Sequence, residues 1–144
     1  MKKLLTPNSL NNDIGVLLLR LSFGGLFTYF GYTKLAAYDE LLPMFADIGD
    51  TVGIGATWTL NLVIFAELFC GILVTLGMLT RAAIIPIFIT MTVAYFVAHA
   101  QDPFQNKVLP LLFWLLCFVI FVTGAGKYSL DTMMPWGRSH SEKY

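Results

Sequence analysis

Apolar residues gather into four blocks along the chain, about 14–32, 58–79, 82–98 and 108–123, separated and flanked by stretches holding most of the charges and four of the prolines. Each block is near the ~20 residues that carry a helix across about 30 Å of hydrocarbon. Backbone groups in lipid must bond within the protein, so the blocks are expected to be helices, and the alternating pattern of a β-barrel is absent. Between the first two blocks, Leu41, Met44, Phe45 and Ile48 recur at helical spacing beside Pro43, with Asp39, Glu40 and Asp47 elsewhere. This pattern predicts a short interfacial helix in the first outer loop, acting as an amphipathic cover rather than a gate. The expected fold is all-α, a transmembrane four-helix bundle over residues 14–131. Residues 1–13 then form a cytoplasmic N-terminus and residues 132–144 a flexible cytoplasmic tail.

Composition agrees with the pattern. The chain is 57% hydrophobic and 12% charged, whereas about 25% of a soluble domain is charged. The first block spans the full membrane thickness, contains Arg20 and lacks a following cleavage motif, so it is expected to stay as a helix rather than be removed as a signal peptide. Lys2, Lys3, Arg81, Lys127, Arg138 and Lys143 flank one side of the bundle and Lys34 and Lys107 the other, which places both termini in the cytoplasm by the positive-inside rule. Formal net charge is zero, and no basic run points to a nucleic-acid partner. Thr80 is expected to cap the third helix, and Pro86 to kink it. Asp102–Pro103 makes a turn, and Pro110 is read into the first turn of the fourth helix. Trp58, Trp114 and Trp136 are placed near span ends as interfacial aromatics. Lys127 and Asp131 are expected to fix the end of the fourth helix through a local ion pair.

Two ionisable residues, Arg20 and Glu67, interrupt the apolar blocks, and charges at that depth mark polar sites or pathways more often than accidents. A rise of about 1.5 Å per residue puts Lys34 and His99 toward the outer end of the bundle, Glu67 near mid-depth and Arg20 toward the inner end. Side chains lean toward their helix N-terminus, so Arg20 leans inward while Glu67, on an antiparallel helix, leans outward toward Lys34 and His99. The expected constellation is therefore Glu67 with Lys34, His99 and Tyr95 around an outward-facing polar cavity, with Arg20 beneath it. In that constellation Glu67 and His99 carry the catalytic work, Glu67 as the proton carrier and His99 as a relay, while Arg20, Lys34 and Tyr95 contact the ligand, with Lys34 or Arg20 stabilising an anionic intermediate. The plainer alternative is that Arg20 snorkels to lipid phosphates, Lys34 and His99 sit in water, and Glu67 bonds to Asn61 or a neighbouring helix.

Gly24 and Gly31 on the first block and Gly71 on the second sit on the same faces as Arg20 and Glu67, which lets those helices approach closely. Cys70 and Cys117 read as small core residues. No nucleotide, dinucleotide or Cys-x-x-Cys motif occurs, and Glu67 with His99 makes an incomplete metal set.

Leu18-Leu19-Arg20-Leu21 with Gly24, Phe27, Gly31 and Lys34-Leu35, then Ala66-Glu67-Leu68 with Gly71, Leu76-Gly77-Met78-Leu79-Thr80-Arg81 and Ala98-His99, together resemble the DoxX family of small four-helix membrane proteins. The closing Gly124-Ala125-Gly126-Lys127-Tyr128-Ser129-Leu130-Asp131 is similar to the family's Gly-Pro-Gly-x-x-Ser-x-Asp ending, with Ala125 in place of the proline. The resemblance implies a multi-pass protein of the bacterial plasma (inner) membrane. It also implies a link to oxidoreductase systems, including quinone-linked ones, with a soluble or membrane oxidoreductase as partner. It adds weight to Arg20, Lys34, Glu67 and His99. The expected function is a redox-linked membrane subunit that binds a quinone-like or other small apolar compound without a covalently bound cofactor. The alternatives are a proton-coupled transporter or efflux element, which needs a homodimer, and a non-catalytic anchor for partner proteins.

Overall fold

The computed structural model describes residues 12–135. The N-terminal lysines, Trp136, Arg138, His140 and the rest of the tail fall outside the described residues. Helix α1 spans Asn12–Ala36. It is followed by three short pieces, α2 at Tyr38–Leu41, a 3-10 turn at Leu42–Phe45 and α3 at Ala46–Val52. The long helices α4 (Gly55–Leu76), α5 (Thr80–Ala98) and α6 (Phe104–Thr123) complete the chain before a 3-10 turn at Leu130–Thr132. All four long helices are long and apolar enough to cross a membrane, and the described residues contain no strand. One end of the bundle carries the 38–52 segment and the Ala98–Phe104 turn, here called the cover end. The other carries the α4–α5 turn and the loop after α6, the loop end.

Three boundaries differ from the sequence reading. The expected interfacial helix is broken into three turns, because Pro43 in the second turn lacks the N–H that a continuous helix would use. Helix α6 starts at Phe104 after an extended Pro103, so Pro110 lies inside the helix, buried, instead of in its first turn. Gln105, Asn106 and Lys107, which precede the apolar block at 108–123, form the first turn of the helix. Trp114 sits at mid-helix rather than at a membrane boundary: it stacks on Phe88 at 5.1 Å and donates its Nε1–H to Thr92 Oγ1 at 3.0 Å.

Helices in lipid gain little from hydrophobic burial against each other and associate by close packing. The α1–α4 pair does this through glycine: a Cβ on Gly71 would lie 2.8 Å from the backbone nitrogen of Thr28, and one on Gly31 would overlap the backbone of Leu68. Around this seam Phe23, Phe27, Val74, Ile84, Ile87, Phe113 and Ile120 form the core, with Cys70 and Cys117 buried among them as free thiols. Phe27 and Phe113 meet edge to face at 5.0 Å and close the inner side of the space described next.

Candidate functional site

The two buried charges among the described residues, Arg20 and Glu67, are accommodated in different ways. Glu67 stands at the centre of a π-helical turn, Phe65–Phe69, inside α4. Such turns widen the helix by one residue and recur at functional sites. Its carboxylate accepts a hydrogen bond from Lys34 Nζ at 2.6 Å, and the two side chains are 4% and 27% exposed. Lys34 reaches it from the last turn of α1, with its ammonium 5.8 Å from the centre of the Phe30 ring. The opposed leans of two antiparallel helices bring these groups together.

The pair borders a cavity of about 320 Å³ at the cover end. Phe27, Phe30, Met91 and Phe113 give it an apolar wall, Pro110 and Leu109 come from α6, and Phe45 and Ile48 of the 38–52 segment close over it. A second π-helical turn, Ala94–Ala98, ends α5 and delivers Ala94, Ala98 and His99 to the same space. Thr59 and Thr90 also border it, but their hydroxyls donate to the carbonyls of Gly55 and Pro86 at 2.8 and 3.0 Å, which leaves the polar work to the charged groups.

His99 carries a partner that the sequence reading passed over. Its Nδ1 lies 2.7 Å from Asp102 Oδ2. The hydrogen bond from His99 holds the Asp102 carboxyl below its ordinary range, and contacts with Asn106 and Lys107 add to the effect. The signal was present as His99 and Asp102 three residues apart at the end of a helix. The Asp102–Pro103 dipeptide marks the turn and hides this second use of the carboxylate.

Two expected ligand contacts are placed elsewhere. Tyr95 is on the second π turn but does not border the cavity: its ring packs edge-on against Phe96 at 4.9 Å and lies 5.8 Å from Lys107 Nζ. Arg20 neither borders the cavity nor snorkels. It is 3% exposed, and its guanidinium donates to the carbonyls of Ala125, of Tyr128 at 2.6 Å and of Thr75 at 3.4 Å. The inward lean of Arg20 aims it at the loop end, where the loop after α6 folds under the bundle to meet it. Gly77, at φ 72°, lets the guanidinium pass: a Cβ there would sit 2.8 Å from Arg20 Cζ.

Asp131 belongs to the same assembly. Its two carboxylate oxygens accept from the backbone N–H groups of Leu79 at 2.7 Å and Thr80 at 3.1 Å, so it caps α5 from 51 residues away. Thr80, expected as the cap, instead buries a hydroxyl with no hydrogen-bond partner among the described residues. The remote carboxylate satisfies two of the unpaired donors at the start of α5 at once. Among the described residues no group of three or more His, Cys, Asp or Glu side chains could hold a metal ion.

An uncharacterised protein of Haemophilus influenzae is 32% identical over 73 residues, which cover 48% of this chain and 48% of that protein. The match thus spans about half the length of its curated relative. No solved structure matches. The DoxX family model matches residues 15–100, a stretch that contains Arg20, Lys34, Glu67 and His99. The chain is therefore a member of the DoxX family of membrane proteins.

Proposed function

We propose that the chain is a redox-linked membrane subunit whose cover-end cavity takes a small, mostly apolar ring compound of the quinone type. The observation that carries this reading is the Lys34–Glu67 pair set at the edge of an aromatic-walled cavity. Sites for small molecules are concave, mainly apolar spaces of about 300–1,000 Å³ with a few placed polar groups. At about 320 Å³ this one suits a single ring with a polar head. One N–H of the Lys34 ammonium is committed to Glu67, which leaves two donors for a carbonyl or phenolic oxygen. An apolar inner wall and a charged outer end orient the ligand head toward the cover. Electrons would come from a partner oxidoreductase, and the chain's own residues bind, orient and exchange protons. The loop end faces the cytoplasm of a bacterial inner membrane in this reading, since Arg81 and Lys127 stand there.

Binding of ubiquinone-1, a short-tailed benzoquinone, to the protein in lipid nanodiscs tests the assignment. Wild type should bind it saturably. Ala94→Leu, which fills the cavity without touching either charged pair, should weaken binding at least tenfold at an unchanged melting temperature. Partition no greater than into empty nanodiscs would refute the reading.

A further inference from the structure

Resting on the cavity assignment just made, we infer that His99 is the proton port of the cavity, that Asp102 positions it, and that Glu67 stays ionised as the counter-charge of Lys34.

The two acid–base candidates at the cavity differ in what protonation would do to their neighbours. Glu67 lies 2.6 Å from Lys34 and is almost wholly enclosed. Protonating it would leave an ammonium in the bundle without its counter-charge, and breaking a buried pair on one side costs more than the pair is worth. It is suited to holding charge steady. His99 is the first residue beyond the α5 span, its side chain is 37% exposed, and Asp102 beside it is 40% exposed. The imidazole therefore borders both the cavity and the water at the cover end.

Asp102 decides which nitrogen does the work. A carboxylate 2.7 Å from Nδ1 requires a proton on that nitrogen, so the neutral ring keeps its lone pair at Nε2, the atom left for a molecule in the cavity. The carboxyl is held in its ionised form by the same contact. The elements around His99 carry other ionisable groups: Lys34 on α1, Asp47 and Asp50 on α3, Glu67 on α4, Tyr95 on the π turn and Lys107 on α6. Lys107 donates to the carbonyl of Ala100 at 2.9 Å and so braces the turn that holds the His99–Asp102 pair.

The exchange balances with no further reactant. The hydroxyl proton of a phenol-type ligand passes to Nε2, leaving an oxyanion beside the Lys34 ammonium and an imidazolium stabilised by Asp102. The imidazolium then returns the proton to water at the cover end. His99 ends neutral, with Nδ1–H still on Asp102.

The probe is 4-nitrophenol, a single ring whose anion has its own absorbance band, bound to the protein in nanodiscs. The bound anion fraction at neutral pH should fall at least fivefold in His99→Gln and in Asp102→Asn, and Asp102→Glu should restore at least half of it. Independently of any ligand, nitrogen NMR on a His140→Gln background should show His99 as the Nδ1–H tautomer in wild type and lose that preference in Asp102→Asn. An unchanged tautomer in Asp102→Asn would overturn the positioning role. If Glu67→Gln alone abolished the anion band while both His99→Gln and Asp102→Asn kept it, Glu67 would be the proton carrier and the port assignment would be wrong. If wild type binds neither 4-nitrophenol nor ubiquinone-1, the cavity reading fails and the port falls with it, whatever the tautomer shows.

Discussion

Arg20 and Glu67 are both charges buried within apolar helices, and the structure treats them in opposite ways. At the loop end the guanidinium is spent on three backbone carbonyls from α4 and the chain after α6. At the cover end the carboxylate has a single cationic partner and an open space beside it. A charge in a membrane span is a functional candidate when spare hydrogen-bonding capacity faces a cavity. When its hydrogen bonds go to backbone carbonyls and no cavity faces it, it is part of the frame. Depth and residue type alone do not separate these cases.

The sharpest way to break the comparison is to remove Arg20. Arg20→Leu leaves the carbonyls of Thr75, Ala125 and Tyr128 without their donor, each orphaned group costing about 1–3 kcal/mol. A loss of about 3 kcal/mol or more in reversible unfolding from mixed micelles is expected, with ligand affinity in the surviving folded fraction within threefold of wild type. A stability change below about 1 kcal/mol would place Arg20 outside the frame.

Removing both members of the cover-end pair should have the reverse profile. Replacing a buried ion pair by apolar groups of similar volume is often neutral or stabilising by about 1–4 kcal/mol. The double variant Lys34→Met with Glu67→Leu should therefore unfold no more easily than wild type while losing ubiquinone-1 binding. Glu67→Leu alone should destabilise, because Lys34 is then unpaired. Retained binding in the double variant would end the contrast between the two regions.

The smallest effect concerns pH. The Asp102 carboxyl is held below its ordinary value of 3.8 by His99. A carboxyl depressed in the folded state adds stability at pH values above its unfolded pKa and loses that contribution as pH falls through the folded one. The cover-end turn should therefore keep its protection against amide exchange from neutrality down to about pH 4 and lose part of it below that. Asp102→Asn should abolish this acid step without altering the loop end. An acid step of equal size in Asp102→Asn would assign it to another group.

Much of the molecule was legible in the order of residues. Four apolar blocks separated by polar breaks leave little choice in lipid but four helices, since unpaired backbone is too costly there. Antiparallel connection and the lean of side chains along a helix were enough to pair Glu67 with Lys34 rather than with Arg20. Gly24 and Gly31 on the first block and Gly71 on the second foretold the close approach of α1 and α4. These are properties of single helices and their direction, which sequence encodes locally. The roles of Arg20, Asp131, Tyr95 and Trp114 were not encoded that way. Arg20 meets carbonyls 105 and 108 positions away, and Asp131 caps a helix that starts 51 residues before it. A carbonyl acceptor exists at every residue and leaves no mark in composition. Tyr95 packs on Phe96 while Ala94, Ala98 and His99 border the cavity, in and just after a π-helical turn whose extra residue shifts the face of what lies beyond it. That shift is set by packing against neighbouring helices, so it becomes visible once the four spans are assembled.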